Sequence, residues 1–272
     1  MTARLRTRLL GGRFGVEVTG CGDLADLDPP DVATLRGLLL AHKVVGLRGA
    51  ALTASGHRRL LGLLGAPTTP VAAGPRPRPE GTPSLGRWVS AGSHLLAPPR
   101  LLSLRAAGPD VAGEVTRLAD VTGAYRDLPL PLRDLADRSW AVHGLQPEDV
   151  AGAGELVVHP VARLHTETGD RGLLLGGHAQ RLVGLSGEES RTVVHLLQSY
   201  LVRPHNVLTW HWQDGDVLLV DARAVQHHER PCPGPVPPAT ATLHVAGDRP
   251  LGVDGRHSHP LCAGPADARR TA

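Results

Sequence analysis

The chain has few aromatic residues and almost no lysine. Its 272 residues include four Trp, two Tyr and one Phe, and Lys43 is the only lysine beside 28 arginines. A surface that stacks exposed bases would need most of that aromatic supply, and no basic run is dense enough to neutralise a row of phosphates. Nucleic acid is therefore not an expected partner, and any Schiff-base chemistry would have to use Lys43.

Cysteine and long apolar runs are also scarce. The three cysteines, Cys21, Cys232 and Cys262, are isolated and lack CxxC spacing, so they indicate neither a disulfide framework nor a zinc ribbon. No apolar run approaches the length that spans a bilayer, and the Leu-Leu pair near the start is too short for a signal peptide. We therefore expect a cytoplasmic protein with no membrane partner.

Glycine and proline, in contrast, are abundant, with 33 and 24 residues. They are scattered, which excludes collagen and indicates many turns. Six prolines fall within residues 67–86, so this segment is predicted to be a loop or a partly extended linker. It is too short to separate two domains. We predict one domain over residues 1–272, with a flexible tail at residues 252–272.

The apolar pattern is that of short strands with a few helices. Asp28 followed by Pro29 and Pro30 predicts a helix start, and helical spacing continues to Lys43. A capping box of Ser186 and Glu189 predicts a second helix. Further helices are predicted at residues 53–65, 120–128 and 132–142, and strands at residues 44–47, 101–106, 157–165, 207–213, 217–221 and 240–246. This pattern predicts a mainly β protein with peripheral helices (α+β), built on a jelly roll or similar barrel.

Three stretches give a more specific prediction. Residues 42–65 are HKVVGLRGAALTASGHRRLLGLLG, residues 113–128 are GEVTRLADVTGAYRDL, and the third stretch runs from His159 to His228. Together they resemble the taurine dioxygenase (TauD/TfdA-like) family over most of the chain. The resemblance implies a double-stranded β-helix with iron(II), held by two His and one carboxylate, and 2-oxoglutarate. In this resemblance Glu114 and Asp120 are expected at a strand-to-helix connection, with an acid–base role as the alternative.

The same resemblance assigns the family's metal positions to residues without donor atoms. Counting back from Pro98 and Pro99, the H-x-D motif falls on Val89 and Ala91, whereas the third ligand matches His227. A halogenase-like site would explain Ala91 but not Val89. The arginine that should hold the oxoacid falls on Thr242, which cannot offer a charged, two-pronged contact. We therefore predict that neither iron nor 2-oxoglutarate binds, so that the protein has no cofactor and no metal.

Three functions are compatible with these substitutions. The first, favoured by the residues, is a repurposed, cofactor-independent enzyme that catalyses a non-redox step in small-molecule (natural-product) biosynthesis. The second is a pseudo-oxygenase that binds a ligand or a partner protein without turnover. The third is an iron/2-oxoglutarate oxygenase with non-standard ligands, for which the 15 histidines supply candidates although no ligand spacing links them.

The candidate site residues follow from the favoured function. His227, His244 and His94 are predicted to act as catalytic acids or bases. The ligand is predicted to contact Trp88, Val89, Ala91, Thr242 and His228. The expected partner is a small molecule, and a homodimer is left open.

Overall fold

The strands and helices are those of a computed structural model that describes residues 6–20, 24, 27–69, 88–145, 155–228 and 240–261. Its strands are β1 (Arg6–Leu9), β2 (Val16–Thr19), β3 (Val44–Leu47), β4 (Pro67–Thr68), β5 (Trp88–Val89), β6 (Leu101–Ala106), β7 (Val115–Asp120), β8 (Trp140–His143), β9 (Val157–Pro160), β10 (Ala162–Leu164), β11 (Arg171–Leu173), β12 (Ala179–Leu182), β13 (Val207–His211), β14 (Val217–Asp221), β15 (Val225–His228), β16 (Thr240–Val245), β17 (Leu251–Gly252) and β18 (His259–Pro260). Its helices are α1 (Pro29–His42), α2 (Ala54–Leu64), α3 (Val121–Arg126), α4 (Leu130–Arg138) and α5 (Gly187–Leu201).

Two facing sheets form the predicted jelly roll. The large sheet has the order β1-β2-β3-β14-β6-β16-β4 and the small sheet the order β13-β7-β15-β5. Between them lies an inner core to which the large sheet contributes Leu102 and Val220 and the small sheet Leu118, Trp210 and Val225. We call the sides of the two sheets that meet here their inner faces. Alternate residues of each strand therefore point into this core.

The Trp210 ring needs a glycine on the opposite sheet. A Cβ atom on Gly46 of β3 would lie 2.3 Å from two atoms of that ring. The absence of a side chain at Gly46 therefore allows the indole to pack directly on the β3 backbone, which fixes the spacing of the two sheets at this point.

Helices α1 and α2 cover the outer face of the large sheet. The α1 helix connects the parallel strands β2 and β3. Its start is fixed by Asp28, whose side chain accepts the Asp31 N–H, and by prolines in the first turn, as predicted. Leu35 and Leu39 of α1 and Leu60 and Leu61 of α2 pack in an outer core with alternate residues of β14 and β16. The central strands β3 and β14 of the large sheet are thus buried on both faces.

The remaining strands form two smaller sheets, β11-β10-β17 and β12-β8-β9-β18. β17 pairs with β10 and β18 with β9, so residues 252–261 of the predicted tail include paired strand residues. Residues 262–272 lie outside the described part of the chain, as do residues 70–86 of the predicted proline-rich loop. Within the described residues, no helix combines the length and apolar character needed to cross a bilayer.

Two local predictions differ from the structure. The predicted helix at residues 132–142 is the α4 helix (Leu130–Arg138) followed by strand β8, because the backbone becomes extended at Ser139. Strands β7 and β15 are not among the predicted strands, since β15 has only four residues and β7 runs directly into the α3 helix. This omission matters because β15 carries His227.

The only lysine is part of a buried ion pair. Lys43 ends α1 in a left-handed conformation with φ of 65°, and its Nζ donates to Asp120 Oδ2 at 2.7 Å and to Thr122 Oγ1 at 2.6 Å. Asp120 in turn accepts the Thr122 and Gly123 N–H groups and so caps α3. Asp120 therefore has the structural role favoured by the sequence. Lys43 is engaged and offers no free amine for Schiff-base chemistry.

Replacing Lys43 by Met should strongly destabilise the protein. The change removes the nearest cation from the fully buried Asp120 carboxylate and leaves only Arg126, which is largely exposed and 4.0 Å away. Breaking such a buried pair typically costs about 3–5 kcal/mol. Chemical denaturation of Lys43→Met and of Lys43→Met/Asp120→Asn would measure this cost. The double variant should recover part of the loss because its neutral amide leaves no buried charge, and equal stabilities of wild type and Lys43→Met would contradict the interpretation.

A second buried polar contact joins α2 to the large sheet. His57 is 1% exposed and its Nε2 lies 2.7 Å from Ser103 Oγ of β6. Burial, and then the charges of Arg105 and Arg58, lower the pKa of His57 to about 4. The imidazole is therefore neutral in the folded protein at neutral pH.

The free energy of unfolding should fall between pH 7 and pH 5. The unfolded chain binds a proton at His57 near pH 6.5, whereas the folded chain does so only near pH 4, so acid favours unfolding across that window. At pH 5 the loss from His57 is about 2 kcal/mol. Denaturation of wild type and His57→Gln at both pH values would measure it. The variant should lose less stability, and an equal loss in both proteins would refute the assignment to His57.

Candidate functional site

Strand pairing places His227 beside one of the two substituted metal positions. In the antiparallel pair of β15 and β5, His227 is directly opposite Val89 and His228 is opposite Trp88. Residues opposite one another in such a pair have Cβ atoms about 4.5–5.5 Å apart. The structure therefore brings together two positions that the resemblance assigns to metal ligands, one of which is a valine.

The alternation of side chains shows which residues face the inner core. Val225 belongs to this core, so His227, two residues later, points to the same face. Ala91 also belongs to it. Val89 and Ala91 are only 2% and 6% exposed. The small sheet thus presents one imidazole and two buried apolar side chains to the interior.

The large sheet contributes Thr242 and His244 from the opposite side. Leu243 and Val245 of β16 pack in the outer core, so Thr242 and His244 point inward. They pair with Leu104 and Leu102 of β6, both of which contact the inner core. Thr242, His227 and His244 are all partly exposed. We call Val89, Ala91, His94, His227, Thr242 and His244 the inner-face site.

His94 joins this site from the loop after β5. It is partly exposed, and its ring lies 4.9 Å from the His178 ring in an edge-to-face contact. Its charge also acts on His244. Three predicted acid–base residues, His94, His227 and His244, are therefore electrostatic neighbours despite their separation in the sequence.

Trp88 and His228 are on the other face of the small sheet. Trp88 packs among the residues of a separate core that also holds Ala119 and Leu175, and its ring lies 5.1 Å from the His228 ring, edge-on. The Arg117 guanidinium is 5.8 Å from the Trp88 ring centroid. The structure thus separates these two predicted ligand contacts from the other six site residues.

His227 and His244 are held in the neutral form. Burial, followed by the charges of His244 and His228, lowers the pKa of His227 to about 4. Burial and then the charge of His94 lower the pKa of His244 to about 4. No carboxylate of the described residues contributes to either shift. At neutral pH each imidazole therefore has a ring nitrogen with a free lone pair, the state needed to accept a proton or ligate a metal.

Gln226 fixes the position of β15 and was missed by sequence reasoning. Its side-chain Nε2 donates to Ser90 Oγ at 3.1 Å and also to the Leu175 backbone oxygen. Ser90 lies between Val89 and Ala91, so this contact ties the residue before His227 to the segment that holds both apolar positions. The alternation of Gln226 with His227 could have indicated this role, had β15 been recognised as a strand.

The donor set does not fit the iron and oxoacid usual in such a site. A facial triad needs three protein donors, and of the expected ones only His227 is present. Within the described ranges, no group of three or more His, Cys, Asp or Glu side chains is placed to hold a metal ion. Thr242 offers one neutral hydroxyl where a guanidinium would grip a carboxylate. No reaction step can therefore be derived through a metal or oxoacid held by the inner-face site.

Comparison with known proteins shows that the chain has a dioxygenase fold. A family model, Taurine catabolism dioxygenase TauD, TfdA family, matches residues 6–246. A taurine dioxygenase structure from Burkholderia xenovorans superposes with a TM-score of 0.80 at 28% identity, covering 97% of both chains. The chain belongs to the TauD, TfdA family, and the predicted family and jelly-roll fold are confirmed.

Similar proteins with assigned activities are oxygenases or act on sulfate esters. An α-ketoglutarate-dependent sulfate ester dioxygenase from Pseudomonas putida is 32% identical over 92% of each chain. An alkylsulfatase from Acinetobacter baylyi is 31% identical, covering 93% of this chain and 89% of its own.

These relatives overturn three predictions. Three predictions are wrong: the non-redox biosynthetic function, the conclusion that the chain is not a standard iron/2-oxoglutarate dioxygenase, and the absence of a cofactor. A relative that matches 92% of the chain is named as α-ketoglutarate-dependent. These predictions gave more weight to three positions, Val89, Ala91 and Thr242, than to the similarity over the rest of the chain. Val89, Ala91 and Thr242 describe an unusual ligand set, which is a narrower statement than a change of reaction class.

Restoring the missing donors should strengthen metal binding at the inner-face site. Val89→His/Ala91→Asp would place an imidazole and a carboxylate near His227, and the variant should bind Co²⁺ or anaerobic Fe²⁺ at least about tenfold more tightly than wild type. Titration calorimetry would measure both affinities. The gain should disappear when His227→Ala is added, and equal affinities of wild type and the double variant would show that these positions do not limit metal binding.

Proposed function

We propose that the chain is an α-ketoglutarate-dependent oxygenase with a non-standard ligand set, acting on a small organic sulfate ester. The observation that carries the proposal is the 32% identity to a sulfate ester dioxygenase over 92% of both chains. Identity of this extent favours a shared reaction class even where individual site residues differ, although fold alone would not.

The inner-face site supports an anionic substrate. The titratable neighbours that shift the pKa values of His227 and His244 are all imidazoles, and no carboxylate is among them. A carboxylate would repel a sulfate group, and the residue at the position of the family's carboxylate is the uncharged Ala91. Neutral imidazole N–H groups and the Thr242 hydroxyl can donate hydrogen bonds to sulfate oxygens. Val89 and Ala91 offer an apolar surface to the hydrocarbon part.

His227 is the residue on which turnover should depend most. It combines the retained ligand position with a neutral imidazole and an inward orientation. His94 and His244 are its neighbours, although within the described part of the chain the three histidines are not placed to hold a metal ion together. Their proposed roles are to bind and orient the substrate and to exchange protons through their ring nitrogens.

An oxygenase assay tests the proposal. The full chain, purified without oxygen and then supplied with Fe²⁺, α-ketoglutarate, hexyl sulfate and O₂, should form succinate, CO₂ and hexanal and release inorganic sulfate, with succinate and sulfate in equal amounts. His227→Ala should lower this rate by about 10² or more, because it removes the one retained donor. His211→Ala provides a matched control, since His211 is an exposed histidine at the end of β13.

The assay also identifies the competing functions. Saturable binding of hexyl sulfate without succinate formation at saturating iron would overturn the oxygenase proposal in favour of ligand binding without turnover. Succinate formation without sulfate release over a series of alkyl sulfates would keep the reaction class and overturn the substrate class. Turnover that His227→Ala leaves unchanged would exclude His227 from the machinery.

A further inference from the structure

The loop that carries His94 has a fixed backbone. The Ser93 N–H donates to the Ser90 oxygen at 3.1 Å, and the Leu95 N–H donates to the Gly92 oxygen at 2.8 Å. These two overlapping turns hold the chain on either side of His94, with Gly92 in the left-handed region at a φ of 63°. The turns do not determine the side chain, because a histidine on a fixed backbone can still adopt several staggered rotamers. The direction of the His94 ring therefore depends on what the ring contacts.

The His94 ring contacts the ring of His178. The two ring centroids are 4.9 Å apart and the ring planes are inclined at 76°, an edge-to-face arrangement. Aromatic rings favour this arrangement at centroid distances of about 4.5–7 Å. His178 precedes β12 and is buried, with 8% of its surface exposed, whereas His94 is partly exposed. His178 is therefore the inner member of the pair, and the outer His94 ring packs on it.

The His178 side chain is fixed by a hydrogen bond of its own. Its Nδ1 lies 3.1 Å from Ser93 Oγ, and both groups are buried. Its backbone oxygen accepts the N–H of Gly144, which directly follows β8, at 3.0 Å. His178 thus contacts two consecutive residues of the loop, Ser93 through a hydrogen bond and His94 through its ring. Two such contacts determine both the position and the tilt of the ring against which His94 packs.

Two glycines hold the segment before His178 against β5. The Gly177 N–H donates to the Trp88 backbone oxygen at 2.9 Å. A Cβ atom on Gly176 would lie 2.8 Å from the same oxygen, so the backbone can approach this closely only without a side chain. His178 is therefore held at a constant distance from the strand that carries Val89.

Ser93 is held from the opposite side by a second histidine. His159 Nε2 lies 3.0 Å from the Ser93 backbone oxygen, and His159 Nδ1 lies 2.6 Å from Ser258 Oγ. A carbonyl oxygen only accepts hydrogen bonds, so His159 Nε2 carries the proton that it donates. Ser93 itself is fully buried. Its hydroxyl therefore has a defined position, from which it directs the His178 ring.

We propose that His178 is a positioning residue, which sets the direction in which His94 presents its ring to the inner-face site. The inference rests on the proposed function, in which His94 binds and orients the sulfate ester. His178 acts through His94 and does not itself touch the substrate. Its ring holds His94 in one rotamer before the substrate arrives, so that less rotamer freedom is lost on binding.

A cycle of variants in the hexyl sulfate assay tests this role. His178→Ala should raise KM about fivefold or more and leave kcat within about twofold of wild type, because a misdirected His94 weakens binding of substrate and transition state alike. When His94→Ala is already present, His178→Ala should change KM no further, since the residue through which it acts is missing. An equal rise of KM in both backgrounds would refute the positioning role.

Two serine variants form a matched pair that tests the same contact without removing a ring. Ser93→Ala deletes the hydroxyl that bonds His178 and should raise KM about twofold or more. It also serves if His178→Ala fails to fold. Ser103→Ala deletes a buried hydroxyl that bonds His57 on the outer face of the large sheet and should leave KM unchanged. Equal KM values of the two serine variants would contradict the proposal.

The χ1 angle of His94 separates failure of this inference from failure of the proposed function. Three-bond couplings to the His94 ring carbon, measured by NMR on the isotope-labelled full chain without iron or substrate, give that angle independently of turnover. The couplings should indicate one rotamer in wild type and Ser103→Ala, and rotamer averaging in His178→Ala and Ser93→Ala. Such a result in a protein that forms no succinate would support the positioning contact and overturn only the oxygenase proposal. A single unchanged rotamer in all four proteins would overturn the positioning role, whatever the activity.

Discussion

The antiparallel pairing of β15 with β7 and β5 determines what the inner-face site contains. His227 is opposite Leu118 on one side and Val89 on the other. A shift by one residue would turn His227 away from the core and bring Gln226 or His228 inward, because side chains alternate along a strand. The hydrogen bond from Gln226 to Ser90 opposes such a shift. The orientation of His227 therefore depends on a polar contact on the opposite face of its own strand.

The sequence was sufficient for features determined by neighbouring residues. The α1 start follows from Asp28 and two prolines, and the α5 start from the Ser186–Glu189 capping box, both of which the structure contains. The sequence was insufficient where tertiary packing decides whether a segment forms a helix or a strand. Residues 139–143 fit a helix or a strand equally well, and pairing of β8 with β9 and β12 selects the strand. The convergence of His94, His227 and His244 could not be read from spacing, since β16 belongs to the opposite sheet.

The acidic residues near the barrel are mostly used in structural contacts. Asp120 pairs with Lys43 and caps α3, Asp221 holds His165 and Arg223, and Glu167 joins Arg36 to Arg223. Their charges stabilise connections between elements and do not reach the inner-face site. His227 and His244 are consequently neutral, surrounded by apolar side chains and by other imidazoles. This division explains how the buried carboxylates can stabilise the fold while the inner-face site itself lacks fixed negative charge.

The apolar residues at the positions that the resemblance assigns to metal ligands also contribute to stability. Val89 and Ala91 are buried, and Ala91 packs in the inner core. A histidine and an aspartate at these positions would have to be desolvated, which is unfavourable unless a bound cation compensates for it. The chain therefore keeps the strand geometry of its family through packing, whereas a complete facial triad would make the same geometry depend on the metal. His227 on the small sheet and His244 on the large sheet are both neutral, so a small molecule that contacts both would connect the two sheets directly across the inner core.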